Sequence, residues 1–569
     1  MSETYPWYAF YKDIPARLTY PAESMYELLA KAAAKHPQAT ALEFMGRRTT
    51  YHQLLDAVEA TARALLAAGV SRGEAVTVCM PNCPQAVFLF YAINRIGAVA
   101  NMVHPLSAPE ELAFYLKDAD SRRIFTLDLF VAKLDEVAEK LPDGLQIVVT
   151  SIGEALSPLK RVGYFLTRKS PRKTALDIIA WRDFLAAGRL TDAAPVVRRD
   201  TDEPAVILYS GGTTGTNKGI LLTDRHFNAC ALQTLAMSGY YGKNIVGFKM
   251  LAVLPIFHGF GLCICVHMML MHGCCCLLVP QFSLKTYAHA LLKQQPDFIV
   301  GVPTLFEALL RADQLKNADL SYLKGVFCGG DSLSVELKRK VDDFLAAHGA
   351  TVPIREGYGT TECVTASCLT PQGEYRQGSI GIPFPDTLYT ITKPDTTDPL
   401  AVGEEGEICI SGPSVMLGYN HNPTETAKTL RHHADGRVWL HTGDLGVMDA
   451  DGFVYFRQRI KRLIVTSGYN VYPSQVENVL DAHPDVALSC VIGVKDAYKM
   501  HRVKAFVVLR AGVAADEAMQ TKLRAHCRRH LARFAQPSEI EFRTELPKTL
   551  VGKVAYRVLE EVENEKATE

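Results

Sequence analysis

The chain has 569 residues, of which 48% are hydrophobic and 21% charged, and its 61 Lys and Arg balance 61 Asp and Glu. That length exceeds one hydrophobic core, so several folding units are expected. The composition is that of an ordinary globular protein, and the zero formal net charge gives no sign of a nucleic-acid partner. Fourteen cysteines are irregularly spaced and include consecutive Cys274, Cys275 and Cys276. No Cys-x-x-Cys pair suggests zinc, so they read as buried small apolar residues in a reducing compartment. The N-terminal Met-Ser-Glu-Thr-Tyr-Pro-Trp has neither a basic nor an apolar run. No signal peptide is expected, and the cytoplasm is the expected location.

Apolar and amphipathic stretches alternate along the chain. Helices are expected at 51–68 and 109–119, and short buried strands at 75–80, 99–103, 146–150, 205–209 and 298–302. Such alternation predicts an α/β fold of parallel sheets covered by helices. Residues 157–173 form a basic and aromatic patch, read either as a solvated connector or as a membrane-surface contact. Residues 250–284 contain no Asp, Glu, Lys or Arg. The stretch is long enough to span a bilayer, but Pro255, three glycines and three histidines interrupt it. A buried strand at 251–254, a turn at 255–261, a helix through 271 and a strand at 274–279 fit better.

From about residue 400 the texture changes. Segments 403–411 and 452–456 read as strands of a small β-rich subdomain. A boundary near 459–461 divides an N-terminal domain, 1–460, from a compact α+β C-terminal domain, 461–569. In the latter, Ser474 and Glu477 have the spacing of a capping box that starts a helix, followed by strands at 487–494 and 504–509.

Residues 209–219 carry the clearest chemistry: Tyr-Ser-Gly-Gly-Thr-Thr-Gly-Thr-Asn-Lys-Gly. Glycine lets backbone N–H groups approach a phosphate, Ser and Thr add hydroxyl donors, and Lys218 adds a positive charge. The loop follows a buried strand, a usual place for a phosphate site in an α/β protein. It is not the common P-loop, because Asn217 precedes Lys218 and Gly219 follows it.

Further motifs follow in order. They are Phe257-His258-Gly259-Phe260-Gly261, Tyr358-Gly359-Thr360-Thr361-Glu362, Thr442-Gly443-Asp444, Arg459-x-Lys461, Thr466-Ser467-Gly468-Tyr469 and the loop 546–553 that ends in Lys553. Taken together, from about 25 to 556, the series resembles the adenylate-forming superfamily of acyl- and aryl-CoA synthetases, luciferases and nonribosomal peptide synthetase adenylation domains. Fatty acyl-CoA ligases are its nearest likeness.

The resemblance implies two half-reactions. A carboxylate attacks the α-phosphate of ATP, pyrophosphate leaves, and the acyl-AMP then passes its acyl group to coenzyme A. Charge builds on phosphoryl oxygens, which calls for donors, a cation and Mg²⁺. The resemblance assigns Ser210, Gly211, Gly212, Thr213, Thr214, Gly215 and Lys218 to the β- and γ-phosphates. It assigns Thr361 to the α-phosphate and Glu362 to Mg²⁺. Asp444 takes the ribose hydroxyls, assisted by Arg459. Tyr358, with Gly359 and Thr360, lies by the adenine with backbone around Gly330 and Asp331. Lys553 bridges the attacking carboxylate and the α-phosphate. His258, Phe260, Val302, Gly329 and Gly330 wall the acyl pocket, with His258 also placed among the catalytic groups. Lys461 marks the hinge of a mobile C-terminal domain, and Gly468 opens the tunnel for coenzyme A.

The chain departs from the usual pattern at Gly211, where Ser or Thr is more frequent, and at Asn217, where Pro is frequent and would stiffen the loop. Lys461 stands where Asp is common. The short stretch after Lys553 favours free coenzyme A as acceptor. The expected activity is a medium- or long-chain acyl-CoA ligase. Alternatives are an aryl-CoA ligase, an acyl-AMP ligase that loads a carrier protein, a nucleotide-binding regulator without turnover, and a membrane-embedded scaffold.

Overall fold

The computed structural model describes residues 4–167, 174–197, 200–211, 217–466, 469–496, 500–549 and 553–566. Four sheets organise them. The largest has nine strands, with Ile354–Tyr358, Gly325–Cys328, Phe298–Gly301, Lys249–Ala252, Cys275–Leu278 and Thr40–Phe44 parallel and adjacent in that order. An eight-stranded sheet runs parallel from Pro204–Gly211 through Val99–Met102, Ala75–Cys79, Arg123–Leu127 and Gln146–Thr150 to Ile178–Ala180. Every residue of Ala75–Cys79, Val99–Met102 and Phe298–Gly301 is buried. Continuous apolar runs are what a strand covered on both faces requires, and this is why these strands could be read from sequence.

One apolar cluster joins the two large sheets. It contains Leu42, Leu251 and Cys276 of the first, Val76, Ala100 and Leu208 of the second, and Leu89, Phe90 and Phe227 from helices Pro84–Arg95 and Asp224–Leu235. The uncharged stretch 250–284 lies inside this core. Its helical part begins at Phe260 with wide turns to His267 and continues as Met268–Leu270. Polar side chains tie its backbone down. Asn82 Nδ2 donates to the carbonyls of Ala252 and Leu254 at 2.9 and 2.8 Å, and its Oδ1 accepts the Ile256 N–H at 2.8 Å. The Tyr51 hydroxyl lies 2.7 Å from the Cys274 carbonyl. Buried backbone groups in an irregular turn need such partners. Among the described residues no helix is long and apolar enough to cross a membrane. All fourteen cysteines are buried and free.

The phosphate loop joins two strands that return on each other. Pro204–Gly211 pairs antiparallel with Asn217–Thr223, with Gly211 opposite Asn217. This differs from a P-loop, whose strand leads directly into a helix. The small β-rich unit is an antiparallel sheet of Leu388–Thr392, Gly406–Ser411, Val438–Met448, Leu430–His432 and Val454–Arg459. It begins before residue 400, because Leu388–Thr392 supplies its edge.

After the short turn Ile460–Arg462, every strand of the fourth sheet falls between residues 464 and 543. The expected capping box is not formed. Pro473 occupies the first helical position of Pro473–Asp481, so Tyr472 is the N-cap and Ser474 falls inside the first turn. The Ser474 hydroxyl donates to the Arg457 carbonyl instead. The Glu477 carboxylate pairs with Arg462 and accepts the Val491 N–H at 2.8 Å.

Candidate active site

Ligand sites in open α/β sheets lie beyond the carboxyl ends of parallel strands. Here the strands ending at Gly301, Cys328 and Tyr358 point into a cavity of about 1080 Å³. Its walls bring together motifs separated by hundreds of residues. Ser210 and Lys218 come from the phosphate hairpin, and His258 and Phe260 from the turn before the core helix. Gly329, Gly330 and Asp331 follow one strand end, and 358–362 another. The antiparallel unit supplies Asp444 and Arg459, and Lys461 and Lys553 come from beyond it. Residues 212–215 and Gly468 lie outside the described residues.

Asp444 is the electrostatic centre. It sits on the long strand Val438–Met448, opposite Arg459 in register, with a side chain only 2% exposed. The Tyr358 hydroxyl donates to Asp444 Oδ2 at 2.5 Å. Arg459 Nε lies 3.4 Å from Oδ1, close enough for an ion pair. Burial raises the carboxyl above its usual range, while Arg459 and the Tyr358 hydrogen bond pull it down. Among the described residues no hydrogen bond reaches Oδ1. A buried, unsatisfied carboxylate oxygen of this kind calls for an explanation, and a hydroxyl-bearing ligand supplies one.

Lys553 reaches this centre from the C-terminal part of the chain. Its Cε lies 3.7 Å from where a Cβ on Gly330 would stand. Burial lowers the ammonium below the usual lysine range, with Asp331 and Asp444 opposing and Arg459 assisting. The backbone around it is anchored by the Thr549 N–H donating to the Lys553 carbonyl at 2.7 Å. His258 is pushed down to about 4 by burial and by the Lys553 charge, so it is neutral near pH 7. Its Nδ1 accepts the Phe260 N–H at 3.2 Å.

On the phosphate side, Lys218 Nζ pairs with Glu425 Oε2 at 2.7 Å and stands 4.8 Å over the Tyr419 ring. Hydrogen bonds from Lys218 and Lys428 hold the Glu425 carboxyl at about 2. The Tyr419 hydroxyl donates to Glu362 Oε1 at 2.9 Å. Thr361 and Glu362 occupy a single tight turn, Thr361–Cys363, and Val364 after it is held at φ 67°. A β-branched residue there marks a loop fixed by its surroundings. Gly359 explains part of that constraint, because a Cβ would fall 2.0 Å from the Thr365 carbonyl oxygen.

Two placements correct the sequence reading. Gly330, expected in the wall of the acyl pocket, lies on the cavity wall at its charged side. It has φ 81° and lies beside Lys553, so a larger residue there would strain the backbone and crowd the charged centre. Val302 is packed 3.5 Å from that same Gly330 position, but the cavity wall on its strand is formed by Phe298 and Val300. Sequence reasoning also missed Tyr419 and Glu425, although Gly418-Tyr419 and Asn422-Pro423 carried turn signals. It missed the buried Gln458 amide, which lines the cavity without a hydrogen bond among the described residues. It gave Asn217 only as a departure. The Asn217 amide donates to the Tyr115 hydroxyl at 2.7 Å and to Glu111 at 3.1 Å, fixing the hairpin where Pro is absent.

This combination of sheets, hairpin and shared cavity is that of an adenylate-forming enzyme. Residues 29–420 match the family model described as AMP-binding enzyme, and residues 475–553 that of the AMP-binding enzyme C-terminal domain. The chain belongs to the AMP-binding enzyme family. It is 36% identical over 574 residues to a long-chain-fatty-acid–CoA ligase of Bacillus subtilis, covering 99% of both chains. It is 33% identical over 560 residues to one of Salmonella typhimurium, covering 96% of both. Among solved structures it is similar to ATP-bound MatB from Rhodopseudomonas palustris, with TM-score 0.81, 25% identity, and 96% and 100% coverage. The apo form of that protein gives 0.71.

Glu356 gives a test of the cavity wall that does not depend on activity. Burial pushes its carboxyl up to about 8, against a hydrogen bond from the Leu333 N–H at 3.1 Å. The folded protein therefore keeps a proton that the unfolded chain releases near the ordinary carboxyl value of 4.5. Stability falls as pH rises through that window, from about 4.5 to about 8. Glu356→Gln keeps the acceptor and removes the titration. Its melting temperature relative to wild type should rise steadily from pH 5 to pH 8. A constant difference would show that Glu356 ionises normally.

Proposed function

We propose that the protein is an AMP-forming acid–thiol ligase that activates long-chain fatty acids with ATP and transfers them to coenzyme A. The observation that carries this reading is the Lys553 ammonium standing between Asp331, Asp444 and the strand ends, where a nucleotide α-phosphate and a carboxylate would meet. The full-length relatives named as long-chain-fatty-acid–CoA ligases support the substrate class.

In the first half-reaction a fatty carboxylate oxygen attacks the α-phosphorus and pyrophosphate departs with the bonding electrons. Lys553 neutralises charge on the shared oxygens as the two anions approach, a role suited to a long side chain. Asp444 Oδ1 accepts a ribose hydroxyl, Tyr358 lies by the base, and Arg459 favours the ionised form of Asp444. Lys218 and Ser210 stand on the side of the departing phosphates. Glu362 and Thr361 present hard oxygen donors of the kind Mg²⁺ takes, and Mg²⁺ carried in with ATP would neutralise phosphate charge there. Neutral His258 walls the acyl entrance without adding a second cation. In the second half-reaction the coenzyme A sulfur attacks the acyl carbonyl, AMP leaves, and the thiol proton goes to solvent. The better match to an ATP-bound than to an apo structure supports the present arrangement as the adenylating one. We assign the domain boundary to 460–461, the hinge to Lys461 and the coenzyme A path to the loop of Gly468.

The cavity shape supports a long acyl chain. Phe298 and Val300 line it from one strand, Phe327 from the next, and Ile264 and Met268 from the core helix. Phe298 and Val300 face the same side at period two and lead away from the strand end. The channel thus runs down the sheet into apolar surroundings.

Peripheral contact with an anionic lipid surface fits the helix Pro158–Thr167 of a cytoplasmic protein. Leu159, Val162 and Leu166, at spacings of three and four, are 86%, 59% and 79% exposed. Arg161 adds positive charge, and the sequence continues with Arg168, Lys169, Arg172 and Lys173 outside the described residues.

Three outcomes test this proposal. Lys553→Ala should lower ATP–pyrophosphate exchange by roughly 10²-fold or more, while supplied acyl-AMP is still converted to acyl-CoA. Near-normal exchange would remove Lys553 from adenylation. For wild type, kcat/KM for straight-chain acids should climb about fourfold per methylene, from about 0.8 kcal/mol each, until the channel is full. Val300→Phe should move the optimum to shorter chains without changing KM for ATP. An optimum at acetate or benzoate would defeat the fatty-acid reading. Leu159→Glu with Leu166→Glu should weaken sedimentation with phosphatidylserine-containing vesicles by about tenfold or more, since each buried leucine contributes about 1.5–3 kcal/mol. Equal sedimentation would place the contact elsewhere.

A further inference from the structure

The antiparallel unit beside the nucleotide pocket holds a group of side chains that adenylation does not use. Cys409 and His441 are register partners on neighbouring strands. His433 follows the next strand, stacks on Trp439 with ring centroids 5.3 Å apart, and reaches across to His441. The two imidazoles meet Nε2 to Nε2 at 2.9 Å. Cys409 Sγ lies 3.4 Å from His441 Nδ1. Among the described residues these three alone form a trio of possible ligand atoms within 4.8 Å of one another.

Two neutral imidazole nitrogens this close cannot both present lone pairs. Either one imidazole donates its Nε2–H to the other in an ordinary hydrogen bond, or a metal ion lies between them. The surroundings favour a metal. Glu407 Oε2 accepts from His441 Nδ1 at 2.9 Å, which fixes the tautomer with Nε2 free to ligate. A carboxylate on the far nitrogen is the usual support of a metal-binding histidine. Two imidazoles and a thiol match zinc-class ions, whose Zn–N bonds are about 2.0–2.1 Å and Zn–S about 2.3 Å. The nitrogens would separate by only a few tenths of an ångström to reach tetrahedral spacing, and the Cys409 side chain would swing to the Nε2 edge.

We propose that Cys409, His433 and His441 bind one zinc-class transition-metal ion, with water completing the coordination. Binding turns the Cys409 thiol into thiolate and releases its proton to solvent. The site adjoins the nucleotide pocket, whose wall includes both Glu407 and His441. Glu407 Oε1 accepts the Gly443 N–H at 2.9 Å, next to Asp444. Metal occupancy therefore fixes the Glu407 carboxylate and steadies the turn that carries Asp444. The binding claim stands on these residues alone, whatever the acyl substrate.

The test uses full-length protein stripped with a chelator and titrated with Co²⁺ as a spectroscopic probe. Wild type should bind one equivalent, with a thiolate-to-cobalt charge-transfer band and the visible bands of a tetrahedral ion. Zn²⁺ should displace it. Cys409→Ser, nearly isosteric, should lose the charge-transfer band while keeping its melting temperature. His433→Ala should abolish stoichiometric binding. Glu407→Gln should weaken it by about 10–100-fold. Absence of binding by wild type in excess Co²⁺ would leave an ordinary hydrogen bond between the imidazoles and overturn the site. So would a charge-transfer band that survives in Cys409→Ser. Metal removal should raise KM for ATP several-fold, and an unchanged KM would overturn the link to the Asp444 turn.

Discussion

A buried carboxylate has to be held charged where water cannot reach it, and Asp444 sets that demand for the whole site. Isolated in an apolar interior, an ionised carboxylate takes up a proton instead. The Tyr358 hydroxyl and the Arg459 guanidinium oppose that protonation, and they come from different units. Tyr358 ends a parallel strand of the nine-stranded sheet, while Asp444 and Arg459 are cross-strand partners in the antiparallel unit. Their meeting fixes how the two sheets stand relative to each other. It also leaves one oxygen of Asp444 without a hydrogen bond, the feature a ribose can use.

Much of this arrangement was legible in the sequence, for definite reasons. Strands buried on both faces, such as 75–80 and 298–302, must be continuous apolar runs, and those are visible without a structure. Phosphate sites need glycine, hydroxyl and lysine close together along the chain, so 209–219 announces itself. What the sequence concealed depends on contacts between distant segments. Ser474 and Glu477 have capping-box spacing, but Pro473 starts the helix two residues earlier and leaves both side chains free for tertiary partners. Gly330 was read as space for an acyl tail. Its position beside Lys553 goes with the pairing of Lys548 and Val554, which no local pattern encodes. Cys409, His433 and His441 are irregularly spaced and converge only through strand register.

The apolar channel and the charged centre place opposite demands on one wall. A long acyl tail gains from an environment without water, whereas the reacting anions need donors and cations. The fold separates these along the strand direction. Phe298 and Val300 line the deeper part, while Gly330 and Asp331 stand past the neighbouring strand end where Lys553 arrives. His258 lies at the transition. In the proposed reaction its neutral form would let an apolar tail pass close to a lysine without a second desolvated charge. An imidazolium there would repel Lys553 and weaken the approach of the two charges that adenylation brings together.

The proposed domain rotation requires that the adenylating arrangement be stable but not deep. The polar contacts across the boundary have that character. Tyr472 donates to Glu405 and Ser474 to the Arg457 carbonyl, both at exposed positions. A hydrogen bond is worth about 0.5–1.5 kcal/mol net, and exposed ones fall at the low end. A few such contacts hold the domain in place by only a few kcal/mol. The interaction of Lys553 with bound anions adds to them while ATP and the fatty acid are present. Once pyrophosphate leaves, that term shrinks, because the triphosphate charge facing Lys218 and Lys553 is largely gone. In the proposed cycle the same lysine that promotes the chemistry would thus report its completion and free the domain to admit the thiol.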